Sequence, residues 1–429
     1  MSKGKGNILL STICAFVIRV FGSLGGFVLT LIVTKLVDST HAGQFLFILG
    51  LVLFGGNLLT LGSTNVLVKV IGADFGLSWT RINSTVSVIF KLVLLVSTLT
   101  LIIFSTISEY IVSRLGVEIQ SSVLPMIVMC MLLFSYQQIF SAMLQGKQQV
   151  ILGSIVQNII VTFSFVIILL LLELCGTNQT GYSLFYIYLT CVGLATLCGS
   201  LLWFKSKGSS FYLDASFSQE LKVSLSSLFV ILLMNQCVMW AGQFATAKYL
   251  SAADVAFFAA SQRTATLASF VLIAVNLVVA PKFAQAFAKG NQLEVDKLSL
   301  LSSRLMIALA VPVLAFMIFF PEFLMGLFGE EYKVAAPLLQ ILAVGQFINV
   351  ITGSVGFLLN MTGHEKDMRN VVLFSGPLAI ALAFGLTSHF GLMGAAYATA
   401  ISVATQNLLA VWMVKKRLGF NTLNVFRKV

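Results

Sequence analysis

Charge is what this 429-residue chain most lacks. Only 10% of its residues are Asp, Glu, Lys or Arg, against about 25% in a typical soluble domain. With 58% of the residues hydrophobic, a soluble fold of this size would be left with apolar surface it could not cover. That excludes a soluble protein and predicts an all-α integral membrane protein. Negative charge is scarcer still. The 15 acidic residues, against 26 basic ones, all fall in loops or at the ends of apolar runs, Glu173 among them. The buried carboxylates that a proton- or sodium-coupled carrier needs are therefore missing from the span interiors. Six cysteines (14, 130, 175, 191, 198 and 237) show no C-x-x-C spacing, so they read as small core residues rather than disulfides or metal ligands. The three histidines, His41, His364 and His389, are scattered at loops. No G-x-x-x-x-G-K-[ST] loop occurs, and no loop is long; the largest lie near 205–223 and 282–298. A membrane enzyme of polysaccharide assembly would need catalytic groups on a sizeable loop, so an enzyme is not expected, and neither is a metal or other cofactor.

What the chain does have is long apolar runs. A membrane span takes about 20 apolar residues. Twelve runs meet that measure, at about 8–34, 43–64, 83–107, 121–144, 150–172, 182–204, 224–247, 255–280, 299–320, 335–361, 370–388 and 391–414. The first lacks a small-residue cleavage site and is expected to stay as an uncleaved span. Only a short turn near Phe390 and Gly391 separates the last two. Basic residues set the orientation. With the N-terminus cytoplasmic, the odd-numbered loops hold only Lys35, Arg114, Lys248 and Lys333. Nearly all other basic residues then fall in the tails and even-numbered loops, so both termini are expected to be cytoplasmic. The +11 net charge is therefore mostly topology, and no nucleic-acid partner is expected.

The two halves repeat. At a fixed offset of 213 residues, Lys35 matches Lys248, Lys91 matches Arg304, Glu109 matches Glu322 and Gly116 matches Gly329. Six spans per half is an even number, so both halves enter the membrane in the same direction and the repeat is parallel. The expected organisation is a six-helix lobe over 1–204, a cytoplasmic linker over 205–223 and a second six-helix lobe over 224–429.

Four basic residues and no acidic ones remain inside spans: Arg19, Lys91, Arg263 and Arg304. An unpaired charge at bilayer depth costs at least about 2.5–3.5 kcal/mol, so an all-cationic set points to an anionic substrate. Lys91 and Arg304 lie roughly 24 Å from the periplasmic end of their spans at 1.5 Å per residue, in a core about 30 Å thick. Both can reach the cytoplasmic interface by extending their stems, and both are also candidates for substrate contact. Arg19 and Arg263 lie roughly 16 and 13 Å deep, and neither reaches an interface easily. A guanidinium is always charged and binds phosphate through a planar fork. Gly22, Gly25 and Gly26 follow Arg19, as a close-packing face or as a hinge that lets the first span bend. Asn235, Gln236, Trp240, Gln243, Gln262 and Thr264 are polar residues of spans 7 and 8. Of these, Asn235 and Gln262 suit sugar hydroxyls and Trp240 a sugar ring, and all equally suit interhelical hydrogen bonding.

Four short motifs follow one another along the chain: Ile18-Arg19-Val20-Phe21-Gly22, Ala42-Gly43-Gln44-Phe45, Gln145-Gly146-Lys147 and Ser261-Gln262-Arg263. With the twelve spans, they resemble the Wzx-type O-antigen and capsule repeat-unit flippases of the multidrug/oligosaccharidyl-lipid/polysaccharide (MOP) superfamily. The resemblance implies a MATE-like fold and a bacterial inner-membrane protein. It would move an undecaprenyl-pyrophosphate-linked glycan, such as a lipopolysaccharide O-antigen unit, from the cytoplasmic to the periplasmic leaflet by alternating access. It also allows a polysaccharide polymerase and a chain-length regulator as partners. In the related lipid II flippases, cationic residues of a central cavity engage the pyrophosphate, and the matching positions here are Arg19 and Arg263. A second span-1 arginine of those flippases falls near Gly25 or Gly26. That departure, with twelve spans rather than fourteen, argues against lipid II as substrate. The main rival is an ion-coupled multidrug antiporter of the same superfamily.

Overall fold

The computed structural model describes residues 22, 24–75, 78–106, 120–177, 179–205, 210 and 219–425. Arg19 lies outside these residues. The described chain is helical: α1 (Leu24–Leu36), α2 (Ser39–Leu59), α3 (Ser63–Asp74), α4 (Trp79–Thr106), α5 (Leu124–Gly146), α6 (Val150–Leu174), α7 (Gly181–Phe204), α8 (Gln219–Tyr249), α9 (Ala252–Ala288), α10 (Gln292–Phe319), α11 (Glu330–Met361) and α12 (Glu365–Leu418). Among the described residues, ten helices are long and apolar enough to cross a membrane. One of the ten, α12, contains two limbs that meet at Gly391. With α1, which is described only from Leu24, the fold accommodates the twelve segments expected from the sequence.

Helix starts follow local chemistry. The Asp38 carboxylate accepts from the His41 N–H at the head of α2. Thr180 and Ser183 form a capping box at the head of α7, and Ser251 and Asp254 form another at the head of α9. The Asn291 side chain accepts from the Glu294 N–H to start α10. Each satisfies N–H groups that the first helical turn leaves without partners.

The repeat is visible in the helix bounds themselves. Both α4 and α10 are 28 residues long, and their first and last residues, Trp79–Thr106 and Gln292–Phe319, differ by the same offset read from the sequence. The starts of α2 and α9, Ser39 and Ala252, keep that offset too.

The chain divides into two compact units, Met1–Leu233 and Met234–Val429, with the boundary inside α8. In the first unit, Leu67, Ile71, Ile82, Val86, Ile89, Ile139 and Met143 pack round Trp203. Outward-facing residues of α4 such as Leu95, Leu99 and Ile102 are exposed, the pattern expected where lipid takes the place of water. The second unit packs differently. Ala241 and Ala245 of α8 meet Ala379, Ala383 and Ala398 of α12, small residues that let helices approach closely. Arg417 and Asp367, one from each limb of α12, are joined by a two-pronged ion pair, with Nε to Oδ2 at 2.7 Å and Nη2 to Oδ1 at 2.9 Å.

In the first unit α6 is irregular, forming a π-helical turn at Ile155–Ile159. Gln137 of α5 is fully buried and donates from Nε2 to the Val156 and Gln157 carbonyls, at 2.7 and 3.1 Å. Replacing Gln137 with Leu leaves those carbonyls bare in a dry interior and should cost about 1–3 kcal/mol. A lowered thermal midpoint of the detergent-solubilised protein is the expected result; an unchanged midpoint would show that the turn does not depend on Gln137.

Candidate functional site

Arg263 sits near the end of the first regular stretch of α9, Ala252–Thr266, just before a single 3₁₀ turn at Leu267–Ser269. Such mid-helix tightening often marks a hinge or a strained segment. The half-buried guanidinium lies over the Trp240 ring, with Cζ 5.9 Å from the ring centroid. A desolvated contact of this kind is worth up to about 2 kcal/mol. Trp240 is itself fixed: Nε1 donates to Gln236 Oε1 at 2.8 Å, and Phe244 stacks on the ring at 6.2 Å. Only 4% of Trp240 is exposed, so its main visible work is to orient Arg263.

These residues open onto a cavity of about 310 Å³ within the second unit. Asn235, Trp240, Gln262 and Arg263, singled out from the sequence, all line it. Gln262 donates from Nε2 to the Met239 carbonyl at 2.9 Å, tying α9 to α8. Gln243 and Thr264 are buried elsewhere, and Thr264 bonds back to its own helix at Ala260. Four amide residues missed by sequence reading complete the lining: Gln346 and Asn349 of α11, and Gln406 and Asn407 of α12. Their signal was present, since Gln346 and Asn349 are three apart in an apolar run and therefore share a helix face. No carboxylate lines this cavity among the described residues, and Arg263 is its sole charged side chain. A larger cavity of about 510 Å³ lies in the first unit at the helix ends, lined by Lys35, Asp38, His41 and Glu173 among others. Its mixed charge distinguishes it from the purely cationic one.

The remaining candidates are placed as follows. Gly22 and Gly25 face α6: a Cβ on Gly22 would collide with Asn158, and one on Gly25 would lie 2.9 Å from Thr162 Cγ2. Both glycines serve close packing in this conformation. The Gly26 carbonyl accepts from Thr30 Oγ1 within α1. Lys91 is exposed on α4. Arg304 is exposed on α10, donates from Nε to the Val425 carbonyl at 2.8 Å, and does not line the cavity. Arg304→Ala should therefore change transport by no more than about twofold; a loss as large as that of an Arg263 substitution would place Arg304 in the substrate path. Lys147, of the Gln145-Gly146-Lys147 motif, is buried between Phe75 and Trp203, at 5.8 and 5.3 Å from the ring centroids. Burial holds its amine below the usual lysine range because it penalises the charged form. The motif thus fastens the end of α5 to the aromatic cluster of its unit.

The fold and the site define a multi-pass helical membrane protein with a cation-bearing cavity. Its fold is MATE-like. An inward-facing multidrug resistance MATE family transporter of the MOP superfamily superposes with a TM-score of 0.77 at 13% identity, over 95% of this chain and 98% of that one. A MOP superfamily transporter from Pyrococcus furiosus, described as having a binding pocket of reverse polarity that suggests a different function, superposes at 0.58 and 12% identity, over 98% and 95%. The MatE family model matches residues 224–385. Two curated relatives align over 38% of this chain. They are an uncharacterized membrane protein of Methanocaldococcus jannaschii, 26% identical, and a probable low-salt glycan biosynthesis flippase of Haloferax volcanii, 27% identical. The alignment spans about a third of each relative's length. The solved structures show the fold, and the MatE likeness covers less than half of the chain.

Proposed function

We propose that this protein is a flippase that carries a lipid-linked oligosaccharide across the membrane by its pyrophosphate. The observation that carries this reading is Arg263, held on Trp240 in a cavity that is rich in amides and, among the described residues, lined by no carboxylate. A guanidinium in a partly desolvated site favours phosphate oxygens and repels a drug cation. The glycan biosynthesis flippase among the relatives supports the substrate class, and a structural neighbour is likewise described as having a binding pocket of reverse polarity that suggests a different function. Arg19 is proposed as the phosphate-binding counterpart of Arg263 in the first unit, and the termini are proposed to be cytoplasmic in a bacterial inner membrane.

Energetics suggest the driving force. Moving one negative charge out of a compartment whose interior is negative releases about 2.3 kcal/mol per 100 mV. A pyrophosphate diester carrying about two charges gains roughly twice that, enough to bias export without a coupled ion. The test is a strain lacking this protein. The reading predicts that lipid-linked oligosaccharide accumulates on the cytoplasmic face while resistance to cationic drugs is unchanged. Normal surface glycan with raised drug sensitivity would favour the MATE-type antiporter instead.

A further inference from the structure

Six amide side chains line the cavity with Arg263, and their hydrogen bonds determine what each has left to offer. Gln406 Nε2 donates to Asn235 Oδ1 at 3.3 Å, and Asn349 Nδ2 donates to Gln346 Oε1 at 3.0 Å. Asn407 Nδ2 is taken by the Val403 carbonyl at 2.9 Å, and Gln262 Nε2 by the Met239 carbonyl. An amide nitrogen carries two N–H bonds, so these four each keep one and Asn235 and Gln346 keep both, while the carbonyl oxygens of Gln262, Asn349, Gln406 and Asn407 accept no side-chain bond among the described residues. The two pairs come from different helices: Gln346 and Asn349 from α11, Gln406 and Asn235 from α12 and α8.

This inventory discriminates among ligands. Phosphate oxygens only accept, so they can use Arg263 and the amide N–H groups but leave the carbonyl oxygens of the lining without a donor. Hydroxyl groups both donate and accept, so they can use both kinds of amide atom. A second anionic group, such as a uronic acid carboxylate, would likewise leave those carbonyl oxygens without a donor, and Arg263 is the one cation among the described lining residues. The volume of about 310 Å³ is at the low end of the roughly 300–1,000 Å³ typical of small-ligand sites. It fits a sugar unit rather than a whole oligosaccharide.

We infer that the amides of α8, α11 and α12 form a subsite for the sugar carried directly on the phosphate, and that this sugar is uncharged. The inference rests on the flippase reading and adds to it a specificity determinant, Gln346, Asn349 and Gln406, separate from the phosphate-binding Arg263. The general rule is that a site built to hydrogen-bond hydroxyls rejects a ligand lacking them, because its buried polar groups are then left unpaired.

The experiment measures binding of two probes to the full chain in lipid nanodiscs: undecaprenyl pyrophosphate, and the same lipid bearing one N-acetylglucosamine. The wild-type protein should bind the sugar-bearing lipid about tenfold more tightly. The Asn349→Ala/Gln406→Ala double variant should lose that preference while keeping its affinity for the bare pyrophosphate. Asn349→Leu/Gln406→Leu, which keeps side-chain volume in apolar helices, serves where the alanine variant does not fold, and should behave the same way. Equal affinity of wild type for both lipids, or an equal loss for both in the variants, overturns the sugar subsite and leaves the phosphate reading standing. Binding of neither lipid to wild type overturns the flippase reading, and the subsite with it.

Discussion

Arg263→Ala should lower translocation of the lipid-linked substrate at least about 30-fold. Removing one partner of a desolvated, hydrogen-bonded charge pair costs roughly 2–5 kcal/mol, and among the described residues Arg263 is the one cation that lines the cavity. Arg263→Lys keeps the charge but replaces a planar fork with a point charge, and should fall between wild type and alanine. Trp240→Leu should act in the same direction, because it removes the ring on which the guanidinium rests, whereas Trp240→Phe keeps a π face and should be milder. The measurement is the initial rate of head-group exposure in proteoliposomes, at equal incorporation of each variant. An Arg263→Ala protein with the wild-type rate would make the residue a structural one.

The second large effect is on folding, at the junction of the two limbs of α12. Gly391 has φ 59° and ψ −139°, a backbone region nearly reserved for glycine, where another residue costs about 1–3 kcal/mol. Three residues on, a Cβ at Gly394 would run into backbone atoms of Leu386 and Thr387. Backbone cannot move aside as a flexible side chain can. Gly394→Leu should thus separate the limbs, with loss of the alanine packing between α8 and α12. Strongly reduced monodisperse protein in detergent by fluorescence-detected size-exclusion chromatography is expected, with Gly391→Ala less affected. A Gly394→Leu variant that elutes and melts like wild type would show that the close approach is not needed.

The limits of sequence reading fall along physical lines. Apolar runs bounded by capping residues identify helices locally, so the segments, the turn at Gly391 and the offset relating α4 to α10 were legible. So was the grouping of Asn235, Trp240, Gln262 and Arg263, because polar residues in apolar spans are costly enough to stand out. Gln346, Asn349, Gln406 and Asn407 were missed because single amides in a span serve equally as interhelical glue. Only packing shows which ones meet at a cavity. The π turn of α6 and the 3₁₀ turn of α9 depend on bonds such as Gln137 to Val156, made between helices, and no local pattern announces them. Trp240 looked like a platform for sugar; its neighbours Phe244 and Arg263 show a ring already covered.

The most direct test of an anion-carrying flippase is transport by the purified protein in sealed vesicles with an imposed membrane potential. With undecaprenyl-pyrophosphoryl oligosaccharide as substrate and no proton or sodium gradient, head-group translocation should speed up as the compartment from which it leaves is made negative, and Arg263→Ala should abolish it. Export of a cationic drug driven by a proton or sodium gradient, with no movement of the lipid-linked glycan at any potential, would contradict the account.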